Sequence, residues 1–248
     1  MSMFDLTGKK ALVTGVGSAI GLGRAMAQAL KEFGAEVVIL SRSKRCFDVA
    51  KEDGFTAVQA DLTNRSELKR GFNEALEKLG TLNILINNHA TGKRQESVAV
   101  TMEVWDLIIE TNLTSVFELC QLAAPIMLEK GYGKIINMAS VASFVGIAET
   151  TAYTASKGGL ALLTKVLASE WSKRGINVNA IAPGLIETEM TSGLKKDAAR
   201  REYFMCRIPV GHPGTTENMK GVAVFLASHA SDYVHGAIIP VDGGWLAR

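Results

Sequence analysis

Short apolar runs alternate with helical segments along the whole chain, and this alternation constrains the fold more than any other feature of the sequence. The apolar runs have the length and the β-branched composition of buried strands, and the segments between them carry apolar residues at helical spacing. No long linker, internal repeat or low-complexity tract interrupts the series. The pattern predicts an α/β fold with a doubly wound, mostly seven-stranded parallel sheet.

Composition and charge narrow the class of protein. The chain has 248 residues, of which 47% are hydrophobic, so one domain over 1–248 can bury its own core. Its 27 basic and 25 acidic residues form no long block of like charge, which argues against nucleic acid and membrane surfaces as partners. No apolar run approaches membrane-spanning length and no signal-peptide pattern opens the chain, so we predict a cytoplasmic protein.

The cysteines give no sign of a disulfide or metal site. Cys46, Cys120 and Cys206 are far apart, and neither a C-x-x-C pair nor histidines at ligand spacing occur in the sequence. We therefore interpret all three as reduced packing residues and expect no bound metal.

A glycine-rich turn follows the first predicted strand. The strand covers Lys9–Gly15, and Gly17, Gly21 and Gly23 come before a segment with helical spacing. Glycine lets the backbone approach a pyrophosphate closely, and a helix N-terminus favours negative charge. The strand, turn and helix therefore predict dinucleotide binding in a Rossmann-type domain, with Gly15, Gly21 and Gly23 at the cofactor.

The second predicted strand ends at Ser41 and Arg42, with Lys44 and Arg45 close behind. An acidic residue at this position accepts the ribose 2′-hydroxyl of NAD, whereas an arginine suits the 2′-phosphate of NADP. We therefore favour NADP(H) over NAD(H), with Ser41 and Arg42 at the cofactor. A solvated basic turn is the alternative.

Three polar residues near the middle of the chain can carry proton-transfer chemistry. Ser140 ends the predicted strand that begins at Gly133, at the sheet edge where open α/β sheets bind ligands. Tyr153 and Lys157 lie four residues apart on one face of the next predicted helix. A nearby ammonium stabilises a phenolate, so we expect Lys157 to lower the pKa of Tyr153 toward the working range for proton transfer.

Two further polar residues are unusual for their positions. Asn112 lies inside a helical pattern over Thr101–Lys130, where asparagine is a poor interior residue, so it has either a function or a tolerated surface position. Asn87 and Asn88 end the fourth predicted strand and are expected to hold neighbouring strand ends and line the cofactor floor. His89 follows them; we interpret it as a packed, hydrogen-bonded core residue, with a place in the nicotinamide or substrate cavity as the alternative.

These motifs, in this order, resemble the short-chain dehydrogenase/reductase family over nearly the whole chain. The resemblance implies that Tyr153 exchanges a proton with the substrate oxygen, that Ser140 hydrogen-bonds this oxygen, and that Lys157 binds the nicotinamide ribose. It also implies that Asn112 supports a water-linked proton relay, and that hydride transfer interconverts a secondary alcohol and a ketone. The further cofactor-binding residues that it implies are Asp61, Leu62, Asn88, Tyr153, Lys157, Pro183, Gly184, Ile186 and Thr188.

The cofactor loop departs from the family pattern. If Gly21 and Gly23 form the family's Gly-x-Gly pair, five residues (16–20) separate them from Gly15, where the family usually has three. Another alignment places Ala19 and Gly21 in the pair and lengthens the helix. The phosphate-contacting residues among 16–20 therefore stay open.

The opening FDLTGKKALVTG and the ending VDGGWLAR are most similar to the sugar-acid branch of this family, which includes gluconate 5-dehydrogenase and 2-deoxygluconate or 2-dehydro-3-deoxygluconate dehydrogenase. A sugar-acid substrate needs a cation for its carboxylate and polar partners for its hydroxyls. The candidate substrate-binding residues are Arg94, Ser140, Ser143, Glu149 and Tyr153. A 3-oxoacyl-[acyl-carrier-protein] reductase is the alternative enzyme, and a non-catalytic nucleotide-binding sensor or scaffold is the third interpretation.

The segment from about 185 to 210 mixes charges with few apolar anchors and predicts a substrate lid. The family resemblance implies a homotetramer in which the helical segments 101–130 and 153–174 pair across subunits. Burial of these helices inside one subunit would explain their apolar faces equally well.

Overall fold

The structure is a computed structural model that describes residues 2–193 and 197–247. It contains one parallel sheet of seven strands, which confirms the predicted α/β Rossmann-type fold. The strands are β1 (Lys10–Thr14), β2 (Glu36–Ser41), β3 (Thr56–Gln59), β4 (Ile84–Asn87), β5 (Gly133–Met138), β6 (Ile176–Pro183) and β7 (Ile238–Val241). Their order in space is β3-β2-β1-β4-β5-β6-β7. Successive strands are added toward one edge of the sheet from β1 to β3 and toward the other edge from β4 to β7. The point between β1 and β4 where this order reverses is where such sheets bind ligands.

Helices cover both faces of the sheet. They are α1 (Leu22–Glu32), α2 (Arg45–Asp53), α3 (Arg65–Leu79), α4 (Met102–Ile109), α5 (Ser115–Lys130), α6 (Thr151–Trp171), α7 (Ala198–Met205) and α8 (Lys220–Ala227). Along β1, Val13 packs in one core cluster with residues of α1 and α8, and Leu12 packs in the other with residues of α3, α5 and α6. Burial on both faces explains why the strands are almost continuously apolar. Within the part of the chain that the structure describes, no helix is both long and apolar enough to cross a membrane.

The predicted helix over Thr101–Lys130 contains an irregular turn. After α4, residues Glu110–Thr114 form a π-helical turn before α5 begins at Ser115. Asn112 lies in this turn and is fully buried, so the alternative of a tolerated surface asparagine is wrong. A π turn inserts an extra residue into a helix and is frequent at functional sites.

The predicted lid is described only in part, because residues 194–196 lie outside the described residues. Its later part contains α7, whose Phe204 and Met205 pack against Val141 and Trp245 in a small separate cluster. The lid, like the single-domain organisation over 1–248, stays a prediction.

The cysteines only partly follow the sequence interpretation. Cys46 and Cys120 are buried, as predicted, but Cys206 is exposed. The packing role predicted for Cys206 is therefore wrong, because the residue lies just after α7, where the chain turns at the surface.

Candidate active site

A cleft of about 470 Å³ opens at the carboxyl ends of the central strands. Its lining includes Gly15 after β1, Asn88 after β4, Ser140 after β5 and Gly184 after β6. Most of the predicted cofactor residues line it: Gly15, Gly21, Ser41, Arg42, Asp61, Leu62, Asn88, Tyr153, Lys157, Pro183, Gly184, Ile186 and Thr188. The fold thus brings residues from the whole length of the chain to one cleft.

The glycine-rich loop lies close against the edge of the sheet. Gly15 has φ +72°, and a Cβ there would lie 2.6 Å from the His89 Cα. A Cβ on Gly17 would lie 2.6 Å from the Ser41 Oγ. A side chain at Gly15 would meet the backbone, and one at Gly17 would displace Ser41, so the glycines let the loop lie close to the sheet edge, as binding of a dinucleotide pyrophosphate requires.

Gly23 lies where α1 packs against the loop after β4. It is not among the described residues that line the cleft, and a Cβ there would lie 2.4 Å from the Asn88 Nδ2. Gly23 therefore permits close packing of α1, and its contact with the cofactor stays a prediction. The helix begins at Leu22 with Gly21 as its N-cap, so the longer helix of the alternative alignment is not observed.

Arg42 lies just after the end of β2, where the sequence predicted a contact with the 2′-phosphate. The side chain of Arg42 is 72% exposed and its Nη1 lies 3.7 Å from the Asp61 Oδ2. Such an exposed pair contributes little and leaves the guanidinium available to a phosphate. The residues present fit NADP, since the cleft combines the glycine cradle with this cation.

Ser140 and Tyr153 both line the cleft and are hydrogen-bonded to each other. Ser140 follows β5, and its Oγ accepts a hydrogen bond from the Ala142 N–H at 3.2 Å. Burial raises the pKa of Tyr153, while a hydrogen bond with Ser140 acts in the opposite direction. The two hydroxyls are thus positioned to share one substrate oxygen.

Lys157 lies on the same face of α6 but does not act on Tyr153 as predicted. Its Nζ donates to the Met138 carbonyl oxygen at 2.6 Å and lies 5.7 Å from the centre of the Tyr153 ring. Burial lowers the pKa of Lys157 to about 8. The expected lowering of the Tyr153 pKa is wrong for this structure, because burial disfavours the charged forms of both side chains.

Asn112 connects three elements behind the cleft. Its Oδ1 accepts from the Thr91 N–H at 2.8 Å, and its Nδ2 donates to the Thr91 carbonyl oxygen at 2.8 Å and to the Ser156 Oγ at 3.1 Å. Asn112 does not belong to the cleft lining within residues 2–193 and 197–247. Its part in a proton relay stays a prediction.

The polar residues at the end of β4 and just after it are hydrogen-bonded as the sequence predicted, and His89 also lines the cleft, as its alternative interpretation stated. The Asn87 Nδ2 donates to the Asn137 Oδ1 at 2.9 Å, and the Asn88 Nδ2 donates to the Thr14 carbonyl oxygen at 3.0 Å. The His89 Nδ1 lies 2.7 Å from the Thr14 Oγ1, and its Nε2 lies 2.8 Å from the Ser115 Oγ. Burial and the charge of Lys157 lower the pKa of His89 to about 3, so this packed histidine is neutral.

The predicted substrate residues have partners of their own. The Arg94 Nε pairs with Glu149, and its Nη1 lies 3.5 Å from the Asp197 Oδ2. The Ser143 Oγ donates to the Lys157 carbonyl oxygen at 2.7 Å and ties its loop to α6. Arg94, Ser143 and Glu149 are absent from the described part of the cleft lining, and their contact with substrate stays a prediction. No group of three or more His, Cys, Asp or Glu residues among the described positions could hold a metal ion.

Comparison with known proteins agrees with this geometry. The family model described as enoyl-(acyl carrier protein) reductase matches residues 15–246. A curated relative, the 2-dehydro-3-deoxy-D-gluconate 5-dehydrogenase of Bacillus subtilis, is 43% identical over 250 residues, which cover 99% of this chain and 97% of that protein. The chain belongs to the short-chain dehydrogenase/reductase family.

Solved structures of this short-chain family superpose along the full chain. A structure from Agrobacterium tumefaciens with bound NADP, provisionally named a 2-deoxy-D-gluconate 3-dehydrogenase, is 45% identical, has a TM-score of 0.91 and covers 100% of both chains. A gluconate 5-dehydrogenase from Burkholderia cenocepacia, in complex with NADP and tartrate, is 35% identical, with a TM-score of 0.92 and coverage of 99% of this chain and 98% of that one.

Sequence reasoning missed several residues of this short-chain dehydrogenase cleft. The residues Ser18, Thr91, Leu107, Glu189 and Met190 also line it. The acidic Glu189 stands next to Thr188, in the stretch after β6 that was already expected at the cofactor. Its position next to Thr188 is the signal that could have indicated it.

Proposed function

We propose that this protein is an NADP(H)-dependent dehydrogenase that interconverts a secondary alcohol and a ketone on a sugar acid such as gluconate or a deoxygluconate. The observation that carries the proposal is the full-length similarity to proteins named for such substrates, together with Ser140, Tyr153 and Lys157 in one cleft. Solved relatives hold NADP, and Arg42 offers a cation for its 2′-phosphate.

The side chains divide the work of proton transfer. The Tyr153 phenolate takes the proton from the substrate hydroxyl during oxidation, and the phenol returns it during reduction, while the Ser140 hydroxyl hydrogen-bonds the same oxygen. Bound NADP(H) supplies hydride transfer at its nicotinamide ring, which Asn88, Lys157 and Pro183 would hold. Lys157 carries its charge below a pH of about 8 and then stabilises negative charge that develops on the reacting oxygen.

Substrate selection belongs to the loops after β4 and β5. Gly92 lies against the Tyr153 ring, where an added Cβ would be 3.3 Å from Cδ2, and Arg94 follows two residues later. We infer that Arg94, held between Glu149 and Asp197, turns one of its N–H groups toward the carboxylate of the substrate. Glu149 and Ser143 then stand as candidates for contact with its hydroxyls.

A 3-oxoacyl-[acyl-carrier-protein] reductase is the second candidate, because the matching family model is described as a reductase of a related substrate, the enoyl group on acyl carrier protein. Such an enzyme would use the same Ser140, Tyr153 and Lys157 to reduce a ketone that lies next to a thioester. The non-catalytic alternative has no supporting observation, since all three side chains are present and meet at the cleft.

The substrate class is tested by initial rates with NADP⁺ and NAD⁺ in parallel. The panel is gluconate, 2-deoxygluconate, a neutral sugar alcohol and a 3-hydroxyacyl thioester, followed by nicotinamide absorbance. We expect turnover of a sugar acid, faster with NADP⁺. Turnover of the thioester alone would move the protein to the acyl reductase branch, and a preference for NAD⁺ would contradict the role of Arg42.

The assembly that fits this function is a homotetramer in the cytoplasm. Apolar side chains remain exposed on the long helices in one subunit: Phe117 on α5 and Leu162 and Val166 on α6, with exposures of 41%, 65% and 51%. Exposed apolar stripes on adjacent helices are typical of subunit contacts. They support pairing of these helices across subunits.

A further inference from the structure

Glu189 connects the two walls of the cofactor cleft. It lies in the segment after β6, and its Oε1 accepts a hydrogen bond from the Ala19 N–H of the glycine-rich loop at 3.1 Å. The Glu189 N–H in turn donates to the Ile20 carbonyl oxygen at 3.2 Å. The backbone of one wall is therefore joined to the backbone of the other.

Arg45 adds a third attachment. Arg45 is the first residue of α2, and its two terminal nitrogens lie 3.2 Å and 3.3 Å from the two carboxylate oxygens of Glu189. This is a two-point pairing, which has more geometric specificity than a single contact. The hydrogen bond with Arg45, followed by one with Ser18, holds the pKa of Glu189 below its ordinary value, so the carboxylate is charged at neutral pH.

The attachments cross the space that the cofactor would occupy. Gly17, Ser18 and Ile20 line the cleft on one side, and Thr188 and Glu189 line it on the other. Because the cleft lies between these two walls, a dinucleotide on the sheet edge would have Glu189 and its partners above it. Entry and release would require the walls to separate.

We propose that Glu189 is a positioning residue that straps the segment after β6 across the bound dinucleotide and so slows release of the cofactor. The inference rests on the proposed NADP(H) cofactor but not on the sugar-acid substrate. The rival explanation is that the Glu189 carboxylate competes with a cofactor phosphate for the glycine-rich loop, and this would need contacts of the side chain alone. The backbone bond between Glu189 and Ile20 favours a strap, because it joins the walls independently of charge.

The test is the rate at which NADPH leaves the enzyme, measured by stopped-flow fluorescence after mixing the complex with excess NADP⁺. Glu189→Gln keeps the shape but removes the charge. We expect release to become about two- to tenfold faster, as for the loss of an exposed, charge-assisted pair. The release rates of NADPH and NADH should increase by the same factor, because the strap makes no contact with the 2′-phosphate.

The salt dependence of cofactor release gives a second test of the strap. Added salt screens exposed ion pairs, so it should accelerate release from the wild type more than from the Glu189→Gln variant, in which only the cofactor's own phosphate contacts remain to be screened. Glu217→Gln is the matched control: Glu217 is an exposed glutamate 3.0 Å from the Lys220 Nζ, and this pair joins residues of one helical segment rather than two walls. It should leave release unchanged.

Unchanged release from Glu189→Gln would overturn the strap. Slower release would overturn it as well, because it would show that the carboxylate competes with the cofactor phosphates. An effect on NADPH alone would assign Arg45 to the 2′-phosphate and also exclude the strap. Failure of the wild type to bind either cofactor would instead refute the proposed function itself.

Discussion

Burial acts on Tyr153 and Lys157 in opposite directions. It raises the pKa of the phenol and lowers that of the ammonium to about 8, because each side chain loses solvation of its charged form. Lys157 is held by the Met138 carbonyl oxygen, which fixes its position near the ring. The spacing of the two residues predicted their common face, but burial and the carbonyl partner depend on the packed structure.

Arg94 is the residue whose contact with substrate is most directly testable. Replacing it with alanine should raise KM for a sugar acid more than for a neutral polyol, since only the acid offers a carboxylate to pair with the guanidinium. Initial rates on both substrates measure the difference. Lys93→Ala, a neighbouring exposed cation, is the control and should change neither KM strongly.

An equal change in both KM values would contradict the carboxylate contact. It would mean that Arg94 only holds Glu149 and Asp197 together. The sequence predicted Arg94 as a free cation and could not reveal these two acidic partners, which lie 55 and 103 residues away along the chain.

At the scale of elements, the π turn between α4 and α5 is the least predictable feature near the site. The sequence shows helical spacing through Glu110–Thr114, and only Asn112 is unusual there. The side chain of Asn112 pairs with both the backbone N–H and the backbone carbonyl oxygen of Thr91. The turn is therefore stabilised by a contact with the loop after β4, which no local pattern encodes.

Asn112→Ala should destabilise the protein by about 1–3 kcal/mol, because it leaves the Thr91 N–H and carbonyl groups without their partner. Chemical denaturation measures the free energy of unfolding. Asn83→Ala is a control of the same type at the opposite, N-terminal edge of the sheet, where its Oδ1 accepts from the half-buried Lys10 N–H. Asn83→Ala should lower the free energy of unfolding by less than Asn112→Ala. An equally small decrease for Asn112→Ala would contradict the structural role of Asn112.

For the whole molecule, the parallel sheet and the meeting of residues at its carboxyl edge were predictable from the sequence. The strand and helix periods are strong, and parallel strands necessarily bring their ends together. Contacts between distant side chains were not predictable, as Arg94 with Glu149 and Arg45 with Glu189 illustrate. Arg94, Glu149 and Glu189 lie in irregular segments and Arg45 is the first residue of α2, positions where sequence periodicity carries no information about side-chain partners.

The central claim is that Tyr153 transfers the proton in an NADP(H)-linked reaction. The most direct test is turnover of Tyr153→Phe alongside its NADPH binding by fluorescence, with Tyr233→Phe, a fully exposed tyrosine, as control. Loss of the hydroxyl should lower turnover by about 10²- to 10⁴-fold, as for removal of a general acid–base group, while NADPH binding stays close to that of the wild type. Turnover of Tyr153→Phe at the wild-type rate would contradict the account.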